Sequence, residues 1–313
     1  MTLRVTFLGT GGAVPTVQRN VSAVHVNREG DELLFDCGEG TQRQMMRFGT
    51  GFSLDHLLLS HLHGDHVLGL PGLLQTLEFN ERDAPLAVHA PKGTRSTVES
   101  LAGAGGTDPD FPVRVHEVAP GETAVAGDGY EVRAVGVDHD ARAAGYALVE
   151  DDRKGRFDRR AAEDELGIPP GPKYSKLHRG ESVEHEGRVI EPEAVVGPPR
   201  PGRRLVYTGD TRPTEAVVAA AEGADLLVHD ATFADDRAER AGWTAHSTAR
   251  EAATVAARAG ARRLALVHVS SRYAGDVAAH ERQARDELDD RGATCELVVP
   301  DDGDVIDVSF PDA

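Results

Sequence analysis

The chain has only two cysteines, Cys37 and Cys295, in 313 residues. Two thiols cannot build a disulfide framework, and their scarcity suits a reducing compartment. Lysine is nearly as scarce, with four in the whole sequence, and aromatic residues make up 5%. Nowhere does the chain approach the roughly 18 consecutive apolar residues of a membrane span. The amino-terminal run RVTFLGT is strand-like, too short and wrongly flanked for a signal peptide. These absences lead to the expectation of a soluble cytoplasmic protein with no membrane partner. Positive charge is also in deficit: 34 basic against 52 acidic residues give a formal net charge of −18. Such a surface repels itself and suits a salt-rich, halophilic cytoplasm where charge is screened. Taken alone, it argues against a nucleic-acid partner.

What is present begins with 40% hydrophobic residues, enough for a packed core. Short β-branched runs recur: RVTFLGT, ELLFDCG, HLLLSH, LAVHA, VRVHEV, YEVRAVGV, LVYTGD, DLLVHD, LALVHV and CELVVP. Helix-like stretches lie between several of them, at 66–79, 93–102, 214–222, 247–260 and 277–291. Many strands with interspersed helices predict a layered α/β domain over 1–313. The segment 151–203 breaks the pattern, with little apolar periodicity and much Pro and Gly. A long insertion of this kind is functional or disordered, and it is read here as a projecting arm.

The densest chemistry is LLLSHLHGDH at 57–66. His61 and His63 stand two apart on an extended stretch, so their rings can converge on one ion. Asp65 and His66 follow the Gly64 turn and can face a second. Other apolar runs also end in potential ligands: EVRAVGVDH at His139, LVYTGD at Asp210, and LALVHV at His268. In open sheets with helical crossovers, ligands gather outside the carboxyl ends of strands. Imidazole with carboxylate favours zinc or another borderline divalent ion over magnesium or calcium. No cysteine lies nearby to close a structural zinc site.

SHLHGDH has the HxHxDH form of the metallo-β-lactamase superfamily, and His139, Asp210 and His268 follow in the order of that family's remaining ligands. The resemblance implies a four-layer αβ/βα sandwich. It also implies two zinc ions per subunit, with manganese or iron as alternatives. His61, His63 and His139 would hold one ion, Asp65, His66 and His268 the other, and Asp210 would bridge them. Paired metals can supply hydroxide near neutral pH and clamp the oxygens of an in-line displacement, and the resemblance implies that Asp65 orients that hydroxide or takes its proton. Fold and metals alone do not choose among β-lactams, thioesters, sulfates and phosphodiesters.

Three further stretches narrow the choice. FLGTGGAVPTVQRN, FDCGEGTQRQ, and HDATF, AHST and HVSSRY between 229 and 273 resemble the signatures of ribonuclease Z, the endonuclease that trims transfer-RNA precursors at the 3′ side. The resemblance implies cleavage after the discriminator nucleotide, leaving a 3′-hydroxyl and releasing the trailer. His246 would lie near the scissile phosphate as proton donor to the leaving oxygen, supported by Asp230. The family usually has Glu at the latter position, so a shorter acid here bears on how tightly His246 is held.

IPPGPKYSKLHRG resembles the Gly-Pro motif of that family's transfer-RNA-gripping arm. Three of the four lysines, Lys154, Lys173 and Lys176, lie in the insertion, and residues 151–180 carry eight bases against six acids. On this reading the prolines stiffen a hairpin-like tip, Gly171 turns it beside Pro172, and Lys173 and Lys176 reach phosphates. Precursor tRNA is thus the implied partner rather than DNA, and a homodimer is implied, with the arm serving the partner subunit. A hydrolase of a small phosphodiester or ester, and a catalytically silent RNA-binding protein, remain as alternatives.

Overall fold

The computed structural model describes residues 2–105 and 109–311. Residues up to Val149 together with Arg203–Ser309 form one compact unit. It is built on two seven-stranded sheets. The first runs, in spatial order, Val305–Asp307, Leu3–Gly9, Ala23–Arg28, Asp31–Phe35, His56–Leu58, Leu86–Pro91 and Val113–Val118. The second runs Glu296–Val298, Arg263–Val267, Leu226–Asp230, Arg204–Tyr207, Gly145–Glu150, Tyr130–Val135 and Thr123–Gly127.

Alternation along the strands sends side chains to three cores. Leu33, Phe35 and Leu58 of the first sheet meet Tyr146, Tyr207, Leu226 and Val228 of the second. Leu34 and Leu57 point the other way, towards Met45, Leu70, Leu73, Leu74 and Val98. Leu227, Leu264 and Leu266 pack instead on the small residues Ala249, Ala252, Ala253 and Ala256. Because successive strand residues face opposite sides, an uninterrupted apolar run such as LLF at 33–35 or LLV at 226–228 marks a strand buried on both faces. Helices Thr41–Phe48, Leu70–Phe79 and Arg95–Ala102 cover the first sheet, and Glu215–Ala220, Ala249–Ala259 and Ala278–Asp290 cover the second. This is the expected four-layer αβ/βα sandwich.

The ten expected strand runs all contain strands, whereas Ala23–Arg28, Thr123–Gly127 and Gly145–Glu150 were not anticipated, nor was the helix Thr41–Phe48. The expected 66–79 helix is divided into Gly64–Val67 and Leu70–Phe79, with Pro71 opening the second piece, where its missing N–H does no harm. No helix among the described residues is long and apolar enough to cross a membrane.

Residues 150–202, with the carboxyl-terminal residues from Phe310, form a second compact unit. The segment is aperiodic, as expected, but it is not structureless. Ala162, Ile168, Leu177, Val183, Ile190 and Val195 build a small core of their own. Strands Val183–His185 and Arg188–Ile190 pair as a hairpin. These apolar residues are widely and irregularly spaced between prolines and glycines, so no single period reveals them.

The hairpin-like tip is also corrected: Pro172 opens a short helix, Pro172–His178, and Gly171 is in an extended conformation, not a turn. Lys173 Nζ donates to the Glu184 carbonyl at 2.6 Å and lies 3.2 Å from His185 Nδ1, so its ammonium is already engaged. Lys176 is exposed. Over all of 151–203, eleven bases meet eleven acids, so the positive excess is confined to the first part of the segment.

Candidate metal centre

The candidate ligands sit just beyond strand ends. His61 comes three residues after Leu58, His139 four after Val135, Asp210 three after Tyr207, and His268 directly after Val267. His63 caps the short helix that carries Asp65 and His66. Asp230 is the last residue of its own strand.

The donor atoms fall in three overlapping groups, of which the third joins Asp210 and His268 to Asp230 and His246. In the first, His61 Nε2 and His63 Nδ1 are 3.0 Å apart, His139 Nε2 lies 3.2 Å from His63 Nδ1, and Asp210 Oδ2 lies 3.6 Å from His61 Nε2. In the second, His66 Nε2 and His268 Nε2 are 3.3 Å apart, and Asp65 Oδ2 lies 3.1 Å from His268 Nε2. Asp210 Oδ1 is 3.3 Å from both of those imidazole nitrogens. One carboxylate therefore turns one oxygen to each of these two groups. Asp210 is 2% exposed, and its Oδ1 has no hydrogen-bond donor among the described residues. A buried carboxylate oxygen left without a donor is costly, and a cation between these nitrogens would satisfy it. The donor set, imidazole and carboxylate without thiolate, fits a borderline divalent metal.

The far side of each ring is tied down. His66 Nδ1 donates to Asp36 Oδ2 at 2.7 Å. His61 Nδ1 lies 3.0 Å from Ser60 Oγ, which donates to the same Asp36 oxygen at 2.7 Å. His139 Nδ1 donates to the Ala245 carbonyl at 3.0 Å. His268 Nδ1 lies 2.8 Å from Thr232 Oγ1, which donates to Asp230 Oδ1. Because both hydroxyls spend their proton on a carboxylate, His61 and His268 must donate from Nδ1. Four of the five rings thus keep Nε2 free to ligate, the arrangement by which outer carboxylates and carbonyls fix the tautomer of metal-binding histidines. His63 instead presents Nδ1 to its neighbours.

The charged groups of the centre also act strongly on one another. Burial opposes ionisation of Asp210, but His268, His66 and His61 outweigh it and hold the carboxyl well below its usual range. Burial likewise opposes charge on His66, yet Asp210 and Asp36 raise it well above the ordinary imidazole value. His61 falls well below that value, chiefly through burial and then through His66. Asp65 is lowered because its hydrogen bond with His268 and nearby imidazoles overcome burial. Its Oδ2 also accepts the Ala13 N–H at 2.6 Å, which ties the FLGTGGAV segment to the centre.

Asp230 and His246 adjoin the second group. His246 Nδ1 donates to Asp230 Oδ2 at 2.9 Å, so the shorter acid makes a direct hydrogen bond after all. Asp230 is fully buried and takes further bonds from Thr211 N, Thr232 N and Thr232 Oγ1. Burial pulls His246 down, but the charge and hydrogen bond of Asp230 push it up to about 9. The helix behind it begins at Thr248, which forms a capping box with Glu251, so His246 is free of capping duty.

Several contributors were not read from the sequence. Asp36, Ser60, Thr232 and Tyr207 carry no ligand pattern, and only the position of Asp36 at the end of an apolar run hinted at it. Asp302 accepts from Thr10, Asn20 and Gln44, which gives those motif residues a structural role. Ala13, Asp36, Ala245 and His268 all adopt positive φ, between 57° and 67°. Such backbones are costly for residues with a Cβ and survive where the surroundings over-determine them.

Comparison with known proteins follows the same lines. Residues 3–153 match the family model described as Anti-Pycsar protein Apyc1, and residues 189–269 match the Beta-lactamase superfamily domain. Ribonuclease Z of Haloarcula marismortui is 64% identical over 313 residues, covering 100% of this chain and 99% of that one. Ribonuclease Z of Halorubrum lacusprofundi is 64% identical over 314 residues, with the same coverage. The crystal structure of human tRNase Z, short form, superposes with a TM-score of 0.70 at 27% identity, over 98% of this chain and all of that one.

Proposed function

Because this chain belongs to the ribonuclease Z family, the metal-dependent endoribonucleases of tRNA 3′ processing, we propose that it cuts precursor tRNA on the 3′ side of the discriminator nucleotide, releasing the trailer. The tRNA substrate rests on the relatives, and the observation that carries the hydrolytic part of this reading is Asp210, with one oxygen facing each cluster of imidazoles. Two divalent ions, zinc on the chemistry of the donors, would be held by His61, His63 and His139 and by Asp65, His66 and His268, with Asp210 between them. Bound there, they would polarise the phosphate and lower the pKa of water.

The chain's own groups supply the rest. Asp65, ionised and held by the Ala13 N–H, orients the attacking oxygen. His246 carries a proton near neutral pH and points its free Nε2 away from Asp230. It gives that proton to the leaving oxygen, and Asp230 stabilises the imidazolium before transfer. The 151–203 segment is proposed as the arm that contacts tRNA, with Lys176 and the exposed bases of its first part as the phosphate contacts. The resemblance also implies a homodimer, which sedimentation would reveal.

One experiment tests the whole reading. Wild type, His63→Ala and a variant lacking residues 152–200 are assayed on precursor tRNA and on bis(p-nitrophenyl) phosphate. His63→Ala should lose both activities, and the deletion should lose RNA cleavage while still turning over the small diester. Retention of RNA cleavage by either variant overturns the corresponding part.

A further inference from the structure

The chain's one tryptophan, Trp243, is 80% exposed, although an indole is among the most costly side chains to leave in water. It ends the short helix Ala238–Trp243, three residues before His246. Three residues of chain span at most about 11 Å, so the Trp243 backbone lies within that distance of the His246 backbone.

The segment is braced. Arg212 Nε donates to the Gly242 carbonyl at 2.9 Å, and the same guanidinium pairs with Asp138 beside His139. The His246 N–H donates to the Ala241 carbonyl at 2.9 Å, and the Ala245 carbonyl accepts from His139. The position of Trp243 is therefore tied to a candidate ligand and to the proton donor. Beside the indole lies a hollow of about 400 Å³, lined by Asp235, Asp236, Arg237, Arg240 and Trp243 among others. Arg250 binds Asp235, and the Tyr273 hydroxyl binds Asp236. This mixed charge suits a phosphate poorly. An open aromatic face beside exposed guanidinium groups suits a nucleobase.

We propose that Trp243 is a stacking platform for an unpaired base adjoining the scissile phosphate, and so a positioning residue for the cut. The proposal rests on the precursor-tRNA reading above. Stacking tolerates any base because each has a π-face. It also lacks the steep salt dependence of phosphate contacts, so it supplies affinity that an acidic chain of net charge −18 can use in concentrated salt.

The test compares wild type, Trp243→Ala and Trp243→Phe on a precursor tRNA with an unpaired trailer. The same precursor with an abasic nucleotide on either side of the cut, and bis(p-nitrophenyl) phosphate, complete the set. Trp243→Ala should lower kcat/KM on the precursor about 5- to 150-fold, mainly through KM. Trp243→Phe should keep most activity, and the small diester should be turned over unchanged. Removing the stacked base should reproduce the loss, with no further loss when both changes are combined. Indole emission from the single tryptophan should be quenched as RNA binds the His246→Ala protein.

Unchanged kcat/KM in Trp243→Ala, equal loss on both substrates, or RNA retained on a filter with unaltered emission would each overturn the proposal alone. A wild-type protein that hydrolyses the diester but neither binds nor cuts the precursor removes the tRNA reading, and this proposal with it.

Discussion

Asp36 Oδ2 lies 2.7 Å from His66 Nδ1, and the same oxygen accepts the Tyr207 hydroxyl at 2.6 Å and Ser60 Oγ at 2.7 Å. One fully buried carboxylate thereby sets His66 directly and His61 through Ser60. Asp36→Asn keeps the shape but replaces a charged acceptor with an amide that can satisfy fewer of these donors. Loss of such outer partners typically costs about 10–100-fold in metal affinity. Competition with a chelator should show that loss while circular dichroism shows an intact fold; unchanged affinity would remove the positioning role.

His246 and Asp230 form the second testable pair. Removing a general acid costs about 10²–10⁴-fold in rate. His246→Ala should lose that much in kcat on precursor tRNA and still bind metal. A proton donor acts only while charged, so its limb of the rate falls as pH rises through its folded value. That value is raised by Asp230 to about 9 from 6.5, against burial, and Asp230→Asn should move the limb to lower pH. The same sign governs stability: the pair's contribution is full below the unfolded pKa and is lost as pH rises through the folded one. A pH–rate profile of the two variants beside wild type decides it.

Gly12 matters for space. A Cβ there would lie 2.4 Å from His268 Cε1 and under 3 Å from both ring nitrogens. Gly12→Ala must displace the ring or the loop, and overpacking of this kind costs about 1–3 kcal/mol. Metal content by mass spectrometry should fall for the ion His268 would hold, while the His61 cluster keeps its own. Full occupancy of both would show that the loop yields instead.

Metal removal should also be felt in the fold. A ligand that binds only the native state stabilises it by about 2.7 kcal/mol at a hundred times its Kd. Dialysis against a chelator should lower Tm and abolish RNA cleavage, and zinc should restore both. An unchanged Tm would mean that no ion is held by the buried Asp210.

Much of the centre was legible because local spacing encodes it. HLHGDH places four donors within six residues, and no tertiary contact is needed to see that His61 and His63 can converge. Short apolar runs between helix-like stretches likewise foretold a layered α/β domain, since a strand buried on both faces must be apolar throughout; the four-layer sandwich came from the family resemblance of SHLHGDH. The helix Thr41–Phe48 was hidden inside a stretch read as a motif, and the core of the 150–202 unit was hidden by its lack of any period.

Sequence by itself therefore determined which side chains are available as donors and roughly where strands deliver them, because both follow from covalent order and strand geometry. Only the tertiary structure decided which oxygen of Asp210 faces which cluster and that Asp36 and Thr232 set the tautomers. Those outcomes depend on partners far apart in the chain, such as Tyr207 and Asp36, 171 residues apart. Hydrogen-bond direction at that range is chosen by how the two sheets close on each other, and no local pattern records it.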